Sequence, residues 1–235
     1  MTLAEATSKF IERAAQVEAF AESSPESHLQ AHTLSQSLEL LTTYFSGARP
    51  LEDVTPERLR DFLARWYVER TWASPAPEPK ALVDSLADFF RWADEYSEAR
   101  IAGQCLPILV ELEQSIPRAL RLAEGLSKEL RERGGAFSFP EFLTSFDEGG
   151  QSLYDLDAPG EAGAIEGYFR ITRVEATLAE AEDIISEERI WPIIFPAGVA
   201  CLIGIGMIVN LELLRTAGGW RIAACGFAYP PGTEV

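Results

Sequence analysis

The sequence predicts an α+β protein of two domains, a helical bundle followed by a small β-barrel, on three observations. Apolar residues recur at helical spacing as far as Arg133. The stretch 134–165 is then glycine-rich and acidic, with no Lys or Arg. From Glu166 onward, short runs alternate apolar with polar in the manner of strands. The expected organisation is a bundle domain over 1–133, a connecting segment over 134–165 and a barrel domain over 166–235.

Thr2 with Glu5 has the spacing of a capping box, and Leu3, Phe10, Ile11, Ala14 and Val17 line one face of the helix behind it. Ser24-Pro25 opens a second helix, whose stripe of Leu34, Leu38, Leu41 and Phe45 ends at Gly47. Thr55-Pro56-Glu57 starts a third in the same way, with Leu59, Phe62, Leu63 and Trp66 inward. After the proline-rich loop Ser74 to Pro79, a fourth carries Leu82, Leu86, Phe89, Phe90 and Ala93 on one side. A fifth, from about Pro107 to Arg133, repeats Leu109, Leu112, Ile116, Leu120, Leu126 and Leu130, and Pro117 is expected to kink it. Each stripe needs a partner, so the helices should bundle.

Gly134-Gly135, Gly149-Gly150, Pro159-Gly160 and Gly163 mark the boundary, although Phe137, Phe139, Phe142, Leu143 and Phe146 predict that part of it packs. Beyond it, Phe169 and Ile171 alternate with Arg170 and Thr172, and Val174, Ala176 and Leu178 continue one step out of phase. A β-bulge near Arg173 would produce that shift. Met207, Val209, Leu211 and Leu213 face one way and Asn210 and Glu212 the other; Trp220, Ile222 and Ala224 follow a Gly218-Gly219 turn. Several short strands, one bulged, suggest an SH3-like or OB-like barrel.

The formal charge of −17 repels polyphosphate. Cys105, Cys201 and Cys225 are scattered and odd in number, which reads as reduced thiols rather than a disulfide framework or metal site. The N-terminus is neither basic nor followed by an apolar core, so a cytoplasmic protein is expected. No charge occurs between Arg189 and Glu212, but Pro192, Pro196, Gly198, Gly204 and Gly206 interrupt the run, which reads as strands and turns rather than a membrane span.

Three stretches carry a family resemblance: Leu34 to Phe45, Leu51 to Leu63 (LEDVTPERLRDFL) and Leu82 to Trp92 (LVDSLADFFRW). Over about residues 8–100 the chain resembles the SAM-like, core-binding N-terminal domain of tyrosine recombinases and phage integrases. The resemblance implies a helical domain that clamps DNA beside a catalytic domain using an Arg, a Lys, a His-x-x-Arg and a nucleophilic Tyr. Here both histidines, His28 and His32, lie in the N-terminal domain and no His-x-x-Arg occurs, so no catalytic residue carries over. The cations of 56–100, among them Arg58, Arg60, Arg65, Arg70, Lys80 and Arg91, are interleaved with carboxylates, which works against phosphate contact.

His28 and His32 share a helix side but lack a third ligand. Glu182-Asp183 and Glu187-Glu188 lack the alternating oxygens of a Ca²⁺ loop and read as a charged connection between strands. Gly204 to Met207 lacks the Lys-Ser/Thr of a phosphate loop and reads as a turn. No metal, cofactor or catalytic residue is expected. Candidate partner contacts are Ile205 and Met207 at that turn, Trp220, and Tyr229 before Pro230-Pro231; for the last two, a barrel-core Trp and a stiff tail are the plainer alternative. The expected role is non-enzymatic binding or scaffolding, through a protein partner or self-association, with a DNA-binding derivative of a recombinase domain as the alternative. Random duplex DNA should give no detectable complex at micromolar protein and near-physiological salt; a shift that weakens steeply with added salt would favour the alternative.

Overall fold

The computed structural model describes residues 1–20, 25–132 and 163–235, and no side chains of 17–20, 25–28 or 73. The chain is α+β and divides into two compact units, Met1–Pro117 and Arg118–Val235. The helices are α1 (Leu3–Phe20), α2 (Pro25–Phe45), α3 (Pro56–Asp61), a π-helical turn (Phe62–Trp66), α4 (Tyr67–Ala73), α5 (Pro79–Tyr96) and α6 (Ala102–Glu132), which crosses from the first unit into the second. The expected third helix is thus one run interrupted by the π turn, and the fifth starts at Ala102 rather than near Pro107.

Two of the expected caps form, and Ser24 of the other lies outside the described residues. The Thr2 N–H donates to Glu5 Oε2 at 3.0 Å and the Glu5 N–H donates to Thr2 Oγ1 at 3.2 Å, closing the capping box. Thr55 accepts from the Arg58 N–H at 3.4 Å, with Pro56 in the first turn. α2 ends at Phe45, just before Gly47, and the left-handed residue is Ser46, φ 57°; the Gly47 N–H donates to Thr42 O. The 46–50 loop then accepts the amides of Leu3 and Ala4, satisfying the start of α1 from outside the helix. Leu38, Leu41, Phe45, Leu59, Phe62 and Phe89 are fully buried. Trp66 is only half-buried, its ring 5.6 Å from Phe62 and 5.8 Å from Tyr44.

In the second unit, β1 (Ala164–Glu175), β2 (Leu178–Asp183), β3 (Arg189–Ile194), β4 (Ile208–Thr216) and β5 (Gly219–Tyr229) form a mixed sheet whose strand order, β1-β2-β3-β5-β4, closes on itself. Every pairing is antiparallel except β3 with β5. The β1 bulge lies between Ile171 and Arg173, where the alternation places it. The out-of-phase run is two strands, however: Ala176, φ 53°, and Thr177 form the turn, and Leu178 begins β2. Phe169, Ile171, Ala179, Ala181, Ile193 and Leu213 are buried. The apolar run from Trp191 resolves into β3, a single 3₁₀ turn (Ala200–Leu202) and the start of β4. No helix among the described residues is long and apolar enough to cross a membrane.

The division into units falls within α6, whose residues from Arg118 onward lie in the second unit, and the 134–165 boundary segment lies outside the described residues up to 162. Pro117 does not end the helix, and the division into units falls directly after it. Arg118 donates through Nε to Leu202 O at 2.8 Å and through Nη2 to Ile203 O at 2.7 Å and Cys201 O at 3.3 Å. Those carbonyls end the 3₁₀ turn, so a guanidinium replaces their missing backbone donors. Farther along the same helix, Gly125 faces Val199, and a Cβ placed there would stand 2.5 Å from Val199 Cγ1. Gly125→Ala should therefore lower stability by about 1–3 kcal/mol through overpacking, against the ~1 kcal/mol that Ala ordinarily gains in a helix. Urea unfolding measures the sign, and an unchanged or raised midpoint would mean that Val199 moves aside at little cost.

Candidate functional site

The expected contact residues separate. Ile205 is 67% exposed, on a turn fixed from both sides: the Gly206 N–H donates to Ile171 O and the Ile171 N–H to Met207 O, each at 2.8 Å. Met207 is 1% exposed and Tyr229 1%, so both are corrected from surface contacts to core residues. Met207 follows the turn and leads into β4. Tyr229 packs its ring 5.9 Å from Phe227 and 6.3 Å from Tyr168, and the tail behind it turns back, with Thr233 Oγ1 donating to Pro230 O. Trp220 is neither core nor freely exposed: it is half-buried with the Arg215 guanidinium 5.0 Å above its ring.

The outward face of β1, β2 and β3 gathers more surface chemistry than any of these. Strand register sets it out in three rows. Arg170, Glu182 and Arg189 form the first, since Arg170 pairs with Glu182 and Glu182 with Arg189. Arg173 pairs with Glu180 in the second, and the Arg173 guanidinium lies over the Trp191 ring of β3 at 5.4 Å. Glu175, Leu178 and Ile194 make the third. Trp191 is 39% exposed and Ile194 38%. Both point outward because the register shifts between Ala179 and Ala181 of β2, so that β3 inserts Trp191 and Pro192, joined by a cis peptide bond, between two inward isoleucines.

Charges on this face pair locally: Arg170 with Glu182 at 3.5 Å, Arg189 with Glu180 at 3.7 Å, and Arg173 with Glu175. Thr172 Oγ1 also donates to Glu180 at 3.4 Å. Such exposed pairs stabilise the fold by little. Their effect is to hold three arginines and three glutamates in alternation around one aromatic ring. At the hairpin tip beyond, Asp183 Oδ1 accepts from the N–H groups of Ile185 and Ser186, so Asp183 shapes the β2–β3 turn while Glu187 and Glu188 form its acidic side.

In the helical part, the cations of residues 58–91 are engaged too. Arg60 grips Glu111 through two bonds of 2.8 and 2.5 Å, Lys80 pairs with Asp84 and Arg91 with Asp88. Arg58 lies over Phe45 and Arg70 over Trp66. Arg65 holds Asp61, which also accepts from the Tyr44 hydroxyl. Burial would raise the Asp61 carboxyl, but the bonds from Arg65 and Tyr44 outweigh it and hold it low; burial and the same carboxylate push Tyr44 up to about 12.

His32 is exposed on α2, and the side chain of His28 lies outside those described. Among the described residues, no group of three or more His, Cys, Asp and Glu could hold a metal ion. The cysteines differ sharply. Cys105 donates to Val54 O at 3.6 Å and Cys225 to Ala123 O at 3.9 Å; both are buried, and burial pushes each thiol up to about 12, against a small opposing effect of Arg131 on Cys225. Cys201 is exposed. A thiol reagent at pH 8 should therefore label one site in the folded protein and three in denaturant. Rapid labelling of a second native thiol would contradict the burial of Cys105 and Cys225.

No family model matches the chain, and no curated protein or solved structure does.

Proposed function

We propose that the protein is a non-catalytic binding or scaffold protein, a two-domain chain with a core-binding-like bundle and an OB-like barrel, and that it acts in the cytoplasm. The observation that supports this reading is the outward face of β1–β3, where Trp191, Leu178 and Ile194 offer apolar area beside an ordered set of charges. Trp and Arg concentrate binding energy at interfaces, because each buries a large area for few rotatable bonds. The closed order with β3 parallel to β5 is similar to the OB arrangement, whose β2–β3 face is a common docking surface.

That likeness also favours the second reading, a nucleic-acid binder, because an aromatic platform flanked by arginines suits stacked bases. Against it stand Glu175, Glu180 and Glu182, each within the same face and each engaged with an arginine or beside one. Affinity purification of the tagged protein from its native cell, with nuclease treatment in parallel, separates the two. A retained protein that survives nuclease and disappears with Trp191→Ala supports the first reading. Loss on nuclease treatment supports the second, and retention unaffected by Trp191→Ala sinks the assignment to this face. Ile205→Asp in the same experiment reads the other exposed apolar position; the fold should survive it, since Ile205 contributes little core packing.

A further inference from the structure

We infer that the outward face of β1–β3 docks a second copy of this chain, an inference that rests on the binding reading of that face. The argument is one of charge. A chain of net charge −17 repels its own copy at most approaches. Beyond Gly163 the cationic side chains are five arginines and nothing else, and three of them, Arg170, Arg173 and Arg189, lie on this face. They meet Glu175, Glu180 and Glu182 there, so the three paired rows are locally balanced while the domain around them, from Glu166 at the start of β1 onward, is acidic.

A balanced, alternating face selects its partner. A polyanion meets three carboxylates among the arginines, and a strongly basic surface meets three arginines among the carboxylates. A second copy brings the same mixture, and a two-fold axis can set arginines against glutamates in both directions at once. The apolar strip of Trp191, Leu178 and Ile194 then loses its water against the same strip of the copy. Three apolar side chains on each copy bury less than the roughly 1,600 Å² of a standard interface, so the dimer is weak and reversible.

Sedimentation velocity or light scattering of the full chain over about 1–100 μM tests this. The mass should rise from monomer toward dimer with concentration, and Trp191→Ala should move the midpoint up by about tenfold or more. A basic-face variant, Glu180→Arg with Glu182→Arg, and an acidic-face variant, Arg170→Glu with Arg173→Glu, should each remain monomeric alone and associate when mixed. Recovery on mixing marks a self-complementary face. A wild type that stays monomeric throughout overturns the inference, and so do variants that all dimerise as the wild type does. Should a charge variant unfold by circular dichroism, Trp191→Ala decides by itself: undiminished dimerisation overturns the inference. The purification above fails separately, because a monomeric wild type with Trp191-dependent capture of another protein overturns the self-association alone.

Discussion

Closure of the sheet depends on a contact two residue pairs long, Ile193 and Ile194 of β3 running parallel to Trp220 and Arg221 of β5. Every other neighbour in the ring is an antiparallel partner with a longer ladder, so this is where the sheet would open. The approach requires Gly219. Its φ is 132°, and a Cβ there would stand 2.7 Å from both Pro192 O and Pro192 Cγ. The same Pro192 follows Trp191 in the inserted pair that turns the tryptophan outward, so the residues that close the sheet also expose its aromatic face.

A seam so short needs support elsewhere, and the second half of α6 supplies it. Gly125 meets Val199, in the segment that leaves β3, while Ala123 O accepts from Cys225 of β5. One helix thus touches the chain after β3 and the strand that β3 pairs with. Arg118 anchors the start of that contact on three carbonyls. This explains why a long helix carries a glycine in its interior at a cost to its own propensity: the close approach outweighs it.

Helix stripes and caps were legible in the sequence because they are local: Thr2 with Glu5, Thr55 with Pro56, and Leu82 to Ala93 depend on residues a turn or two apart. The β1 bulge was legible for the same reason, as a slip in alternation. The fate of α6 was not, since Leu122, Ala123 and Leu126 form the same kind of stripe whether a bundle or a sheet covers them. Met207 and Tyr229 were misread because burial at a strand end depends on the neighbouring turn, which precedes Met207 and follows Tyr229. Trp191 was missed inside an apolar run. The signal was present in Arg189, whose alternation with Ile190 puts Trp191 outward before Pro192 breaks the phase.

The alternating charges explain how an exposed tryptophan persists on an acidic protein without making a general adhesive patch. Arg173 lies over the Trp191 ring and shields part of its apolar surface, and Glu175 pairs with that guanidinium. Unpaired arginines here would attract polyanions, and unpaired glutamates would repel any copy of the chain. Pairing removes both effects at long range and leaves a short-range pattern, readable only by a surface that matches it in sign and spacing. Specificity of this kind comes from unfavourable contacts with wrong partners as much as from favourable contacts with the right one. It also limits affinity, because each arginine must exchange a glutamate of its own chain for one across the interface, and the gain is the difference between two similar ion pairs. The apolar strip of Trp191, Leu178 and Ile194 has no such internal competitor, so the net driving force of any docking at this face rests on those three side chains while the charges set its register.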